Sequence, residues 1–322
     1  MEAPAAAPAA APAAAAPAAP AARRIVPLFI VVDENMDQRT IDELIRVAAL
    51  NDAPPDITLV VQQTEYDLAL AIREAVRADD RIRYLTDFEC VQFAISSVHN
   101  EPMESLCERV YQMQCFKDEY KLNDSSQQGR QLIEDFTLQH PGFLLAVEYL
   151  ETSRNYISVR DLAAFDPCII KTAEQWRIFL GGFFYVLQSL NPNIMSMRHG
   201  MSSMTECLGA SFANYDSHVY DRLLHELLRS YPKNSRESFF LNSNSVANFL
   251  LSLWKPFLPE KVVRGFQLGH KVDGHEGESI RQLYQQPSPE ASRQKLIHKA
   301  NVFLHLRYYN QTIFSLDHCI RV

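Results

Sequence analysis

The segment Phe239–Gly269, FFLNSNSVANFLLSLWKPFLPEKVVRGFQLG, combines strand, helix and strand patterns and predicts the fold of the region around it. It opens with an apolar β-type run and continues with polar residues that suit a helix N-terminus. Large apolar residues then recur at the spacing of one helix face: Val246, Phe249, Leu250, Leu253, Trp254 and Phe257. Proline lacks the N–H that a helix interior needs, so Pro256 and Pro259 end the helix, and the apolar run 262–268 predicts a second strand.

This strand–helix–strand segment has two interpretations. Its periodicity is typical of an ordinary core helix in an α/β domain. The heavy aromatic face and the Lys-Pro-Phe exit at 255–257 instead suggest a hinged flap over an apolar space. The segment alone does not distinguish the two.

A second aromatic helix precedes this segment. Thr172 and Gln175 form a capping-box pattern. The helix that they begin carries these residues on one face: Trp176, Phe179, Leu180, Phe183, Phe184 and Leu187. Two apolar runs, 142–149 and 154–159, predict a pair of strands before it. These elements indicate an α/β domain in which two aromatic helices cover one sheet.

Short motifs mark this region in a fixed order. Phe165-Asp166-Pro167 follows the strand pair, Tyr231-Pro232 precedes the strand at 239–241, and Lys255-Pro256-Phe257-Leu258 ends the flap helix. In this order the motifs resemble the CRAL-TRIO lipid-binding domain family, in particular the group of the α-tocopherol transfer protein and the cellular retinaldehyde-binding protein. The resemblance covers residues 139–269. It implies an α/β fold in which a mixed sheet is covered by helices, an apolar cavity lies under a gate helix, and a helical region comes first.

The resemblance and the two apolar helix faces predict which residues line the cavity. They are Phe143, Leu145, Val147, Tyr156, Trp176, Phe179, Phe183, Leu187, Ser203, Thr205, Phe240, Val246, Phe249, Leu250 and Leu253. The hydroxyls in this set are unusual, because a buried hydroxyl without a partner costs roughly 1–3 kcal/mol. The strand that carries Ser203 and Thr205 therefore either lies at a wet sheet edge or presents its hydroxyls to the cavity, where they bind a polar group of the ligand.

A large cavity under the gate helix has an energetic consequence. Vacant interior volume costs on the order of 24 cal/mol per Å³, so side chains or an apolar ligand must fill the space. Each buried methylene of a ligand contributes roughly 0.8 kcal/mol. The resemblance implies that the ligand is a lipid, an isoprenoid or a tocopherol- or retinoid-like molecule, which the protein carries and exchanges at membranes. No cofactor is implied.

Basic residues cluster around the gate helix in sequence: Lys233, Arg236, Lys255, Lys261 and Arg264. They predict contact with an anionic membrane surface, where each charge contributes about 1 kcal/mol. The alternative is an ordinary solvated rim. The inositol-phosphate pocket of phosphatidylinositol-binding relatives is not expected, because Arg222 stands where those relatives have a glutamate.

Composition restricts the class of partner and the compartment. The chain of 322 residues has a formal net charge of −8, which argues against nucleic acid, since phosphate binding needs a clustered basic surface. No stretch has the length and hydropathy of a membrane span. The 6 cysteines include no C-x-x-C pair, and the N-terminus lacks a secretory pattern. We therefore expect reduced cysteines and a cytoplasmic protein with transient peripheral membrane association.

Composition and patterning divide the chain into five parts. Residues 1–24 are almost only Ala and Pro, and we expect them to be disordered because they have too little apolar surface to bury. Residues 25–79 alternate strands and helices and form a small module of unknown role. Residues 80–128 resemble the helical region that precedes CRAL-TRIO domains. The lipid-binding domain spans 138–270, and 271–322 form a divergent C-terminal extension.

No enzymatic function is expected. Ser211, in G-A-S-F-A, lacks the second glycine of a nucleophile elbow, and no glycine-rich phosphate motif occurs. One stretch gathers metal-capable side chains at His270, Asp273, His275, Glu276 and Glu278, but their spacing fits no standard zinc pattern. We therefore predict neither catalytic residues nor a metal ion. The alternative function is a non-catalytic scaffold that binds a protein partner, as relatives that regulate small GTPases do.

Overall fold

Strands in the described part of the chain form two sheets, and helices pack against them. The computed structural model describes residues 29–33, 39–40, 43, 59–97, 101–150, 155–232, 234–254, 266–270, 284 and 288–321. The combination of sheets and helices confirms the predicted α/β class. The predicted disordered segment 1–24 lies outside the described residues.

The larger sheet has the strand order β3-β4-β5-β6-β7. Its strands are β3 (Leu144–Leu150), β4 (Asn155–Asp161), β5 (Met201–Glu206), β6 (Ser235–Leu241) and β7 (Phe266–His270). β3 and β4 are antiparallel, and the pairs from β4 to β7 are parallel. β5 therefore lies in the middle of the sheet, and its hydroxyl side chains are not at a sheet edge.

The smaller sheet joins the two ends of the described chain. β1 (Phe29–Val32) pairs in parallel with both β2 (Leu59–Gln62) and β8 (Cys319–Arg321). Nearby, the Tyr66 hydroxyl donates a hydrogen bond to the Leu316 carbonyl oxygen at 2.9 Å. The segments predicted as a separate N-terminal module and a C-terminal extension thus contribute strands to one sheet.

Helices connect the strands and cover both sheets. They are α1 (Gln63–Ala78), α2 (Asp87–Ser96), α3 (Met103–Glu119), α4 (Ser126–Gln139), α5 (Ala173–Ser189), α6 (Ile194–His199), α7 (Ser217–Arg222), α8 (Ser245–Trp254) and α9 (Pro289–Ile313). After α7 the chain continues as a π-helix over Leu223–Leu228. π-Helical turns are rare and frequently occur at functional sites.

The two helices that decided the sequence interpretation begin at the predicted caps. At the start of α5, Thr172 Oγ1 accepts the Gln175 N–H at 3.2 Å and Gln175 Oε1 accepts the Thr172 N–H at 2.9 Å. At the start of α8, Asn244 Oδ1 accepts the Ala247 N–H at 2.8 Å. These bonds satisfy N–H groups that have no partner within the helix.

Helix α4 has no counterpart among the sequence-based predictions, which end the helical region at residue 128. Its buried apolar face is small and consists of Leu132, Ile133 and Phe136. α4 packs closely on α5 because Gly182 lies between them: a Cβ atom at Gly182 would come within 2.5 Å of Phe136 Cβ. α4 therefore owes its position to tertiary packing.

Arg307 connects α9 to residues that come much earlier in the chain. Its side chain is fully buried. Nη1 donates to the Asn191 carbonyl oxygen at 2.9 Å, and Nη2 donates to Gln92 Oε1 at 2.8 Å. α9 also packs against α4, α5 and β3, and it places Leu296 and Leu304 in the main core. The C-terminal helix is thus an integral part of the fold.

Candidate functional site

A cavity of about 190 Å³ lies between the larger sheet and the helices α5, α7 and α8. Aromatic and aliphatic side chains form most of its lining. On the helical side these are Phe179, Phe183, Val186, Leu187, Leu190, Tyr220, Leu223, Leu224, Leu228, Ala247, Leu250 and Leu251. The π-helix supplies three of these leucines, so the rare backbone geometry after α7 shapes one wall of the cavity.

The sheet side of the cavity carries a polar strip. The register of the parallel strands aligns Ser158, Ser203 and Ser238 in one row across β4, β5 and β6, and Arg160, Thr205 and Phe240 in another. All six residues line the cavity. Ser203 Oγ donates a hydrogen bond to Ser238 Oγ at 3.1 Å. Of the two alternatives for these hydroxyls, a wet edge or the cavity, the structure shows that Ser203 and Thr205 lie at the cavity.

Arg160 is a charged residue in this mainly apolar lining. Its Nε atom is buried without a hydrogen-bond partner, and among the described residues no carboxylate forms an ion pair with it. Its guanidinium carbon lies 5.6 Å from the centre of the Phe183 ring. Arg160 is half-buried, and the surrounding protein atoms lower its pKa to about 10 by desolvation. The guanidinium still carries its charge at neutral pH.

Eight predicted lining residues lie at the cavity: Phe143, Phe179, Phe183, Leu187, Ser203, Thr205, Phe240 and Leu250. They come from the sheet side and from the two helices, α5 and α8, that were predicted to cover it. Of the apolar face that the spacing predicted for α5, Phe179, Phe183 and Leu187 lie at the cavity.

Three predicted residues of β3 and β4 lie elsewhere. Leu145 packs with Val159 and Leu241 in a separate core cluster, because a register shift between Leu144 and Ala146 places Leu144 at the cavity instead. Val147 is buried in the main core. The ring of Tyr156 packs against that of Phe303 of α9, with the two ring centres 4.9 Å apart, so α9 covers this part of β4.

The remaining predicted lining residues belong to α5 and α8. Trp176 is not part of the cavity lining. Its ring stacks under the guanidinium of Arg222, whose Cζ atom lies 4.6 Å from the ring centre. Val246 is half-buried and Phe249 is 50% exposed, because α8 turns Ala247, Leu250 and Leu251 inward. The backbone of Leu253 lies in α8, but its side chain is outside the described residues.

The sequence interpretation missed several lining residues: Arg160, Tyr220, Leu223, Leu224, Leu228, Ala247 and Leu251. Arg160 could have been found from strand alternation, because it shares one face of β4 with Ser158. The residues of α7 and the π-helix gave no comparable signal, since their apolar spacing is that of any half-buried helix.

Phe249 on the outer surface of α8 pairs with Phe212, which follows β5 in the chain. Phe249 is 50% exposed and Phe212 is 59% exposed, and their ring centres are 5.9 Å apart. Leu208, in the same loop as Phe212, is also exposed. Asn244 joins this loop to α8 by donating from Nδ2 to the Ala210 carbonyl oxygen at 2.8 Å. Apolar side chains therefore lie exposed on α8 and beside it.

The predicted basic cluster can be placed only in part. Arg236 is exposed on β6. Lys233, Lys255, Lys261 and Arg264 lie outside the described residues. In the part of the chain that the structure describes, no helix is both long and apolar enough to span a membrane.

Residues considered for chemistry have structural roles or lie outside the described residues. Ser211 Oγ accepts the Ala213 N–H at 3.3 Å and donates to Asn214 Oδ1 at 3.1 Å, so it caps a short helix. Of the proposed metal-capable stretch, only the backbone of His270 is described. Within the described ranges, no three His, Cys, Asp or Glu side chains group as metal ligands would.

His140 is buried beside the cavity among aromatic rings. Its ring packs against those of Phe136, Phe165 and Phe179, and neither ring nitrogen has a hydrogen-bond partner among the described residues. Burial lowers the pKa of His140 from 6.5 to about 4. As the pH falls, the unfolded chain therefore takes up this proton before the folded protein does.

We expect this difference in proton uptake to remove stability between about pH 6.5 and pH 4, amounting to roughly 3 kcal/mol at pH 4. His140→Phe keeps the aromatic packing and removes the titrating group, so its unfolding free energy should change less with pH over this range. Urea unfolding at several pH values measures the difference. His298→Phe, at an exposed position of α9, is the matched control. An equal pH dependence in wild type and His140→Phe would contradict the assignment.

Comparison with known proteins adds no family assignment: no protein-family model matches the chain, and no curated protein matches its sequence.

Proposed function

We propose that the protein binds one hydrophobic small molecule or lipid in the cavity under α8 and carries or exchanges it at membranes. The observation that supports this most is the cavity itself, which lies where two apolar helix faces and the sheet meet. The order of the Asp-Pro, Tyr-Pro and Lys-Pro-Phe-Leu motifs supports a CRAL-TRIO-like domain of this kind. The six free cysteines support a reducing compartment, hence cytoplasmic location with transient peripheral membrane association.

The energetics favour an occupant. At about 24 cal/mol per Å³, a cavity of 190 Å³ that is closed and vacant would cost about 5 kcal/mol, a large part of the stability of a typical protein. An apolar guest removes this cost by restoring dispersion contacts to the lining. Engineered apolar cavities of about 150 Å³ bind benzene, so this cavity accommodates at least a ring or a short chain.

Thermal unfolding with 1-dodecanol tests binding. A ligand at about 100 times its Kd stabilises the folded state by roughly 2.7 kcal/mol, which for a chain of this size raises Tm by roughly 4 °C. We expect such a rise with one molecule bound per chain. If neither 1-dodecanol nor longer alcohols raise Tm, the cavity does not take an apolar chain, and the alternative of a protein-binding scaffold is favoured.

The exposed aromatic pair supports the membrane part of the proposal. Phe212 and Phe249 are exposed beside the gate helix, where apolar side chains insert into the interface of a bilayer. We expect the double variant Phe212→Ser/Phe249→Ser to bind phosphatidylcholine vesicles roughly tenfold or more weakly, because two apolar anchors are lost. Its affinity for 1-dodecanol should stay unchanged, since neither ring lines the cavity. Vesicle co-sedimentation and thermal unfolding measure the two quantities.

The chain offers a matched control for this experiment. Leu138 and Tyr309 are 62% and 46% exposed on α4 and α9, so Leu138→Ser/Tyr309→Ser removes similar apolar surface elsewhere. We expect this control to bind vesicles as the wild type does. Equal losses in both double variants would show that the Phe212–Phe249 pair is not the membrane contact.

A further inference from the structure

Arg160 is a half-buried charge that has no ion-pair partner among the described residues. It projects from β4 into the cavity lining, its Nε atom has no hydrogen-bond partner, and none of the described carboxylates pairs with it. A buried charge is strongly unfavourable unless it is paired and hydrogen-bonded. Desolvation lowers the Arg160 pKa to about 10, which leaves the guanidinium charged at pH 7. A ligand that carries a negative charge would supply the missing counter-charge.

The surroundings of Arg160 limit what that ligand is. Thr205 is paired in register with Arg160 on the neighbouring strand, and Ser158 lies on the same face of β4. Their hydroxyls can donate further hydrogen bonds to an anionic oxygen. Beyond this polar strip the lining is aromatic and aliphatic, with Phe183 beside the guanidinium. The site therefore suits an amphipathic molecule with one acidic end and an apolar body.

Charge balance favours a carboxylate as the acidic end. One guanidinium neutralises one negative charge, and a carboxylate matches its planar pair of N–H donors. A phosphate monoester carries a charge of about −1.5 to −2 at pH 7, so part of its charge would remain uncompensated among apolar side chains. Of the two acid types, the carboxylate fits the cavity with no second cation.

We infer that the cavity binds a hydrophobic carboxylic acid whose carboxylate is held by Arg160, with Ser158 and Thr205 beside it and the apolar body between α5 and α8. This inference deepens the proposed function and rests on it, because it assigns the chemical class of the guest in the same cavity.

Isothermal titration with dodecanoate and 1-dodecanol tests the assignment. We expect Arg160→Met to bind dodecanoate about 10- to 100-fold more weakly than wild type, because charge-assisted hydrogen bonds are lost. Its affinity for 1-dodecanol should change by less than about threefold, since methionine keeps the apolar volume. Arg160→Lys keeps the charge and should retain more dodecanoate affinity than Arg160→Met. Dodecyl phosphate should bind the wild type more weakly than dodecanoate.

The Tm of the ligand-free variant separates a binding role from a structural one. Removing a desolvated charge that has no ion-pair partner among the described residues should leave Tm unchanged or raise it, whereas loss of a structural arginine would lower it. Equal dodecanoate affinity in wild type and Arg160→Met, equal losses in the Met and Lys variants, or tighter binding of dodecyl phosphate would overturn the assignment while leaving 1-dodecanol binding intact. Absence of binding by both dodecanoate and 1-dodecanol would overturn the proposed function itself.

Discussion

Ala247→Phe is expected to abolish ligand binding while it stabilises the ligand-free protein. Ala247 is a small residue of α8 that lines the cavity and is 1% exposed. The cavity is larger than the volume of about 150 Å³ that accepts benzene. A phenyl ring at this position therefore fits into the cavity and occupies the space that the guest needs. We expect the affinity for 1-dodecanol to fall more than about 100-fold, since roughly six ligand carbons lose their burial. The unfolding free energy should rise by about 1.5–3 kcal/mol because the ring itself is buried.

Asn248→Phe is the matched control for this variant. Asn248 is the next residue of α8 and is exposed, so the same side chain is added on the outer surface. We expect its affinity for 1-dodecanol and its unfolding free energy to stay near the wild-type values. If Ala247→Phe binds 1-dodecanol as tightly as Asn248→Phe does, the ligand does not occupy the cavity described above.

Arg307→Met should destabilise the protein by about 3–5 kcal/mol. The substitution removes the two hydrogen bonds that the charged guanidinium donates, so the Asn191 carbonyl oxygen and Gln92 Oε1 lose this donor. Each hydrogen bond to a charged group contributes roughly 1.5–3 kcal/mol. Arg307 also helps to lower the pKa of the buried Glu89, after the larger effect of Lys117. Equilibrium unfolding in urea measures the loss.

The same helix provides the control for Arg307. Arg293 forms an ion pair with Glu290 on the surface of α9, with Nη2 and Oε1 2.8 Å apart. Exposed pairs of this kind contribute about 0.2–1 kcal/mol, so Arg293→Met should cost no more than that. Similar losses in the two variants would show that the buried network of Arg307 does not hold α9 to the rest of the fold.

Local signals predicted the elements of the larger sheet but not the face that each element turns inward. The Thr172 cap and the aromatic stripe of α5 identified Phe179 and Phe183 as lining residues, because that stripe is continuous. In α8 two faces are apolar. The larger side chain of Phe249 suggested the inner face, but the structure turns the smaller Ala247 inward. Hydrophobic periodicity cannot rank two apolar faces of one helix.

The positions of Arg160 and β8 could not be predicted from such local signals. An arginine in a strand is normally expected at the surface, because charged residues are seldom buried without a partner. Its position at the cavity depends on the register of β4 against β5. Likewise, β8 has three residues and pairs with a strand near the other end of the chain, a contact that no short-range pattern specifies. Both features come from tertiary structure.

Native mass spectrometry of the purified protein, followed by solvent extraction and identification of any released molecule, tests the central claim most directly. If the protein is a carrier, wild-type protein purified from cells should retain one apolar molecule per chain, and Ala247→Phe should retain none. A wild-type protein with the bare mass of the chain, and an extract without an apolar compound, would contradict carriage and favour a scaffold that binds a protein partner.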